Sequence, residues 1–395
     1  MLRIAIPATA ATFLSLAAVS AHAQSNVTSN AFNPALSLIL DGQYNHYSQD
    51  PKEYGISGFL LGDEAGLEPA GFSLGETELA ASANIDDKFY GQVTLAIASS
   101  EAETQIEVEE AYAQTTALPY GLTARAGRFF SEIGYLNSRH SHTWDFADQP
   151  LAYRALLGNQ FGDTGVQVKW LAPTTLFTEL GVEAFQGEHF PAGGAAKSGV
   201  GAWTAFAHVG ADIGNTQSWR AGISYLNTDS EQRESELVSG DTVAFTGSSD
   251  VWIADFVWKW ADHGNPKSRN FVLQAEYLER KESGVLDAFA SSAIYDGTQD
   301  GWYVQGAWQF KPRWRVGARY DQLSADNTVG VLPFETPLTD DARDPSRITA
   351  MLDFSNSEFS RFRLQVAQDK SLDRNDTQVT LQYTFSMGAH GAHTF

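Results

Sequence analysis

Two histidines one residue apart, His140 and His142, stand just before a carboxylate, Asp145. Imidazole nitrogens and a carboxylate oxygen together suit zinc or another late divalent metal. The spacing specifies no fourth ligand, so the stretch reads either as a metal site or as ordinary loop surface. His390 and His393 form a second pair near the C-terminus. Nucleophilic chemistry has less support. There is neither a Gly-x-Ser-x-Gly elbow nor a substitute around Ser141. Gly193-Gly194 and Gly199 to Gly201 lack the Lys-Ser/Thr end of a phosphate-binding loop. A hydrolase is therefore the least supported class, and no cofactor motif is expected.

The other residues that carry chemistry are periodic. Arg315 and Arg319 alternate with Trp314, Val316, Ala318 and Tyr320, and Arg361, Arg363 and Gln365 lie two residues apart in a later stretch. Trp302, Val304, Gly306, Trp308 and Phe310 alternate with Tyr303, Gln305, Ala307 and Gln309, and the turn Lys311-Pro312-Arg313 keeps the apolar residues of both segments on one side. Aromatic residues at both ends of an apolar face are what a membrane barrel needs as girdles. Outward positions read as Trp219, Ala221, Ile223 and Tyr225; Trp252, Ala254, Phe256, Trp258 and Trp260; and Phe271, Leu273, Ala275 and Tyr277. Their partners, among them Arg220, Ser224, Asp255, Lys259, Gln274, Glu276, Arg280, Arg347 and Asp353, face the lumen.

Alternation of this kind predicts strands at about 35–47, 73–85, 89–98, 107–116, 121–129, 165–171, 176–186, 202–213, 218–226, 250–260, 271–280, 301–310, 314–321, 347–355, 359–367 and 377–387. Short breaks alternate with long ones, which fall at 48–72, 99–106, 130–164, 187–201, 227–249, 281–300, 322–346 and 368–376. The fold class expected is all-β: a transmembrane antiparallel β-barrel of about sixteen strands, with periplasmic turns at one end and extracellular loops at the other. A barrel this wide leaves an aqueous channel.

Residues 1–23 carry Arg3, an apolar stretch and the small-residue end Ala21-His22-Ala23, the pattern of a secretory signal peptide cleaved before Gln24. The mature chain, 24–395, then reads as one outer-membrane barrel of a Gram-negative cell, reached by Sec-type export. Cysteine is absent, which agrees but decides little. The 26 basic and 48 acidic side chains give a net charge of −22, which argues against nucleic acid as a partner. Acids crowd at Glu101, Glu103, Glu107, Glu109 and Glu110, at Asp229, Glu231, Glu234 and Glu236, and at Asp340, Asp341 and Asp344. They read as solvated loop faces, with cation bridging to lipopolysaccharide as the functional alternative.

The longest break, 130–164, holds Tyr135, Trp144, Phe146, Leu151, Tyr153, Leu156, Leu157 and Phe161, too apolar for a freely solvated loop. It is expected to fold inward after strand five and narrow the channel, with Glu132, Asp145 and Asp148 facing the arginines of the late strands across a gap. An external cap or oligomer contact is the alternative.

The strand count and this loop resemble bacterial trimeric porins. Ala111-Tyr112-Ala113-Gln114, the stretch from Leu122 through Arg125, Gly127 and Arg128 to Phe130, and Gly162-Asp-Thr-Gly-Val-Gln-Val168 are similar to phosphate-selective porin-like proteins. That resemblance implies anion passage along lumenal Arg125, Arg128, Arg220, Arg315, Arg319, Arg361 and Arg363. Against strong anion selectivity stand Asp41, Glu78, Glu179, Glu183, Asp255 and Glu276, which share the lumen. The final Phe395 resembles the end signal read by the barrel assembly machinery. The histidine segment resembles chains labelled zinc-regulated TonB-dependent outer-membrane receptors, which implies zinc uptake, but such receptors need a plug and about twenty-two strands. The function expected is a passive porin for small hydrophilic solutes or ions, homotrimeric, with selectivity by sieving and electrostatics and no enzymatic activity.

Overall fold

The computed structural model describes residues 34–99, 104–194, 199–289, 291–332, 336–339 and 343–388. The signal segment 1–23, the pair His390 and His393, Phe395, and the acids Glu101, Glu103, Asp340 and Asp341 lie outside the described residues. The rest forms one antiparallel sheet closed on itself. Its strands are β1 Ala35–Tyr47, β2 Gly71–Leu74, β3 Thr77–Asn84, β4 Phe89–Ser99, β5 Thr104–Thr115, β6 Leu122–Phe130, β7 Gly162–Leu171, β8 Phe177–Phe185, β9 Ala202–Ile213, β10 Gln217–Glu236, β11 Thr242–Ala261, β12 Asn270–Ala288, β13 Ser291–Lys311, β14 Trp314–Val329, β15 Ser346–Ser357, β16 Ser360–Asp369 and β17 Asp376–Gly388. β1 closes the ring by pairing with β17 on one side and with both β2 and β3 on the other. β2 and β3 therefore share one position in the wall, and the barrel has sixteen staves. That is too few for the roughly twenty-two of plugged transporters.

The stave splits because of a bulge. Gly42 pairs with Leu74 and Ile39 with Glu78, so the register slips by one residue across Gly75 and Glu76. Phe72 and Leu74 point outward before it and Leu79 after it. An extra residue reverses which side chains face in. Gly75 lets the side chain of Asp41 pack close, since a Cβ there would lie 2.2 Å from Asp41 Oδ2 and displace it. β5 has a second bulge: Thr94 pairs with Glu110 but Leu95 with Val108, leaving Glu109 over.

Outward alternation holds around the wall, with Trp252, Phe256, Tyr277, Trp302, Val304, Trp308, Tyr320, Ile348 and Leu352 all exposed. The structure corrects the breaks expected at 227–249 and 281–300. β10 to β13 run on to 19–21 residues each, joined by residues 237–241 and 289–290. The expected break 322–346 likewise begins as strand, up to Val329. Asp229, Glu234 and Glu236 are exposed side chains on this extension of the wall, not loop residues. Polar on one face and buried on the other, these stretches keep the two-residue period without the apolar residues that mark a membrane strand.

Candidate functional site

A packed segment stands inside the barrel. Residues 131–161 leave the end of β6, and their apolar side chains Ile133, Tyr135, Leu136, Trp144, Leu151, Leu156 and Leu157 form one buried cluster with Val251, Ile253 and Val257 of β11, Leu278 of β12, Tyr303 of β13 and Leu323 of β14. The segment includes one short helix, α1 Leu151–Leu157. Ile56 and Phe59, from the connection after β1, join the same cluster. That segment, 48–70, carries an apolar run of its own, Ile56, Phe59, Leu60 and Leu61, which marks it for burial in the same way.

A buried stretch of irregular backbone must find partners for its N–H groups. Wall carboxylates supply them. Glu276 accepts from Tyr135 N at 2.9 Å, Leu136 N at 3.2 Å and Tyr153 Oη at 2.8 Å. Glu183 accepts from Glu132 N at 3.1 Å and Gln167 Nε2 at 2.7 Å, and Asp321 from Leu151 N at 3.1 Å. Of the lumenal acids set against anion passage, Glu183 and Glu276 hold the loop, whereas Glu179 lines open space and Asp41 bonds to the wall residues Gln43, Gln382 and Thr384.

The arginines divide into two groups. In the first, Arg319 Nη2 donates to Asp148 Oδ1 at 2.6 Å, Arg347 Nη2 to Asp148 Oδ2 at 2.6 Å, and Arg154 Nη2 lies 3.4 Å from the same carboxylate. Arg315 is paired with Asp145. Arg363 donates to Asp353 at 2.8 Å and to the Trp144 carbonyl at 3.0 Å, and Arg361 to the His142 carbonyl at 3.1 Å. Arg319, Arg347 and Arg363 are each 2% exposed. Asp145 and Asp148 thus touch the late arginines directly, and these pairs fasten the loop to β14, β15 and β16; no gap separates them. Burial alone would raise the Asp148 carboxyl, but Arg347, Arg319 and Arg154 hold it well below the usual carboxylate range.

The second group faces open space against the opposite wall. A cavity of about 1190 Å³ is bounded by the loop residues Glu132, Arg139 and His140 and by wall residues from β4 to β10. Arg125, Lys169, Arg220, Glu110, Glu179 and Asp212 are among them. Glu132 belongs here, with Lys169 Nζ at 2.7 Å and Arg125 at 3.4 Å, and not with the late arginines. Arg220 Nη2 donates to the Gly134 carbonyl at 3.1 Å. Arg128 is not among the residues bounding this cavity and instead meets His189 Nε2 at 2.6 Å.

The metal grouping expected from sequence is rearranged. Asp145 is engaged by Arg315, while His140 and His142 lie among glutamates from β3 and β5. His140 Nδ1 is 3.1 Å from Glu109 Oε2 and 3.3 Å from Glu78 Oε2, and its Nε2 is 3.1 Å from Glu110 Oε2. His142 Nδ1 is 2.7 Å from Glu78 Oε1. Burial works against protonation of His140, but Glu109, Glu110 and Glu78 outweigh it and raise the imidazole well above its ordinary range. In the sequence, Glu109 and Glu110 belong to an acidic run that reads as a solvated face. The signal was in the parity: Ile106 and Val108 point out at even positions and Ala113 at an odd one, which requires the bulge that turns both acids inward.

No family model matches the chain. An uncharacterised protein of Aquifex aeolicus (strain VF5) is 33% identical over 404 residues, covering 95% of this chain and 83% of that protein. Among solved structures, the loop L8 deletion mutant of OmpT, an outer membrane protein of Vibrio cholerae, superposes with a TM-score of 0.56 at 12% identity, over 91% of this chain and 100% of that one. OmpT has also been solved in a trimer form. An anion-selective porin from Comamonas acidovorans gives a TM-score of 0.53 at 10% identity, over 90% and 99% of the two chains. At these identities the structural likeness is one of fold.

Proposed function

The chain belongs to the family of the Aquifex aeolicus protein, and we propose that it works as a passive outer-membrane channel of the porin type for small hydrophilic solutes or ions. The observation that carries this reading is the polar cavity of about 1190 Å³ inside a wall whose outer face is apolar. Solutes pass beside the inward segment, between it and β4 to β10. Size sets the first limit on passage. Charge sets the second, because ions in a narrow, weakly screened space respond to every fixed charge on its wall. Arg125, Arg139, Lys169 and Arg220 are matched there by Glu110, Glu132, Glu179 and Asp212, so weak ionic preference is expected in place of the strong anion selectivity of a phosphate channel. A homotrimer in the outer membrane, reached through export and the barrel assembly machinery, completes the proposal. It is in keeping with the trimer form of the Vibrio cholerae protein.

Reconstitution into planar bilayers tests it. Discrete conductance steps with a small reversal potential in a salt gradient are expected, and light scattering of the detergent-solubilised protein should give three chains per particle. A correctly folded, heat-modifiable protein that carries no current would overturn the channel reading.

A further inference from the structure

We propose that Glu78, Glu109 and His140 bind a divalent cation of the zinc class at the edge of the lumenal cavity, joining the inward segment to β3 and β5. One donor atom from each of the three lies within 4.8 Å of the other two. Zinc ligands at about 2.1 Å in tetrahedral array stand about 3.4 Å apart, so the 3.1 and 3.3 Å separations at His140 Nδ1 are already of that size. The donors come from three elements distant in sequence. Both strands reach the point only through a bulge, and bulges re-aim side chains next to functional sites.

The surroundings of His140 suit a metal ligand. Its Nδ1 faces two carboxylates at once, while its Nε2 faces a third, Glu110 Oε2, at 3.1 Å. A ligating histidine has this arrangement: one nitrogen on the metal, the other donating its N–H to a carboxylate that fixes the tautomer. Glu110 is itself held by Gln92 Nε2 at 3.1 Å. His142 Nδ1 bonds the second oxygen of Glu78 and so orients that ligand, and Glu76 stands beside Glu109 as a further carboxylate. Four glutamates thus meet two imidazoles in a space where their side chains have little water, a charge balance that a dication improves. Nitrogen among the ligands favours zinc or a neighbouring late metal over calcium or magnesium, which take oxygen only. Access is available, because His140 and Glu110 line the cavity.

Calorimetry on the full-length protein in detergent, titrated with zinc chloride after treatment with chelator, tests the site. One zinc per chain is expected in the wild type. Glu109→Gln and His140→Ala should each weaken binding at least tenfold, Glu110→Gln by about tenfold to a hundredfold as an outer ligand, and the exposed control His263→Ala not at all. Heat modifiability on gels verifies that each variant is folded. Calcium and magnesium should bind at least a hundredfold more weakly than zinc. No stoichiometric zinc in the wild type, or binding unchanged in both Glu109→Gln and His140→Ala, overturns the proposal, and calcium binding as tight as zinc overturns the metal class. None of these readouts depends on conductance, so the site and the channel reading stand or fall separately.

Discussion

Asp148 holds three guanidinium groups, those of Arg319, Arg347 and Arg154, at one carboxylate. Removing one member of a buried ion cluster leaves the others uncompensated, at a cost of about 3–5 kcal/mol. Asp148→Asn should therefore lower resistance to denaturant and make the open-channel current noisier. The pH dependence has a definite sign. A carboxyl held below its unfolded value, about 3.9, contributes stability above that pH and loses it as the pH falls further. Loosening of the loop, read as protease sensitivity, is expected below about pH 4 in the wild type and absent between pH 5 and 8. The two arginine groups also separate by experiment. Arg220→Gln, at the cavity, should shift reversal potential toward cations. Arg363→Gln should leave it fixed while destabilising the fold, because that guanidinium is covered by the Trp144 carbonyl and Asp353. An equal shift in both would mean that the solute path runs along the late strands after all.

At the scale of the strand, alternate residues of β11 meet opposite demands. Phe256 is 41% exposed on the outer face, whereas Asp255 beside it is buried and neither carboxylate oxygen has a hydrogen-bond partner. An arginine facing lipid near the bilayer midplane costs about 2–4 kcal/mol. Phe256→Arg should impair folding by that order, measured by heat modifiability and urea unfolding in liposomes. Asp255→Asn should leave stability level, because no side-chain hydrogen bond is lost with the change. The same alternation explains the long strands β10 to β13. Their ends carry polar residues outward and buried ones inward, so the wall continues past the apolar band, with one register shift between Ser230 and Arg233 where β10 pairs with β11.

For the whole molecule, the proposed channel should conduct according to what the segment 131–161 occupies. Deleting residues 138–148 removes the Asp145 and Asp148 tethers together with His140 and His142, and should raise single-channel conductance. The increase is expected to stay below that of an empty sixteen-stave barrel, since Ile56 and Phe59 of another connection belong to the same core. Conductance unchanged by this deletion would place the solute path away from the loop.

The sequence by itself determined the wall. A period of two fixes which side chains face lipid, and because it is local it could be read from Trp302 to Phe310 or Trp314 to Tyr320 without knowledge of any partner strand. It also marked 131–161 as a segment that needs cover, since so many aromatic and aliphatic residues do not stay in water. Pairing across the lumen was decided only by the tertiary structure. Asp148 with Arg347, Tyr135 with Glu276 and His140 with Glu78 are separated by 62 to 199 residues, and no local periodicity encodes such contacts. The two bulges had the same effect on a smaller scale. One extra residue in β5, and one between β2 and β3, reversed the facing that strict alternation implies, and the first turned Glu109 and Glu110, expected in solvent, toward a histidine inside the barrel.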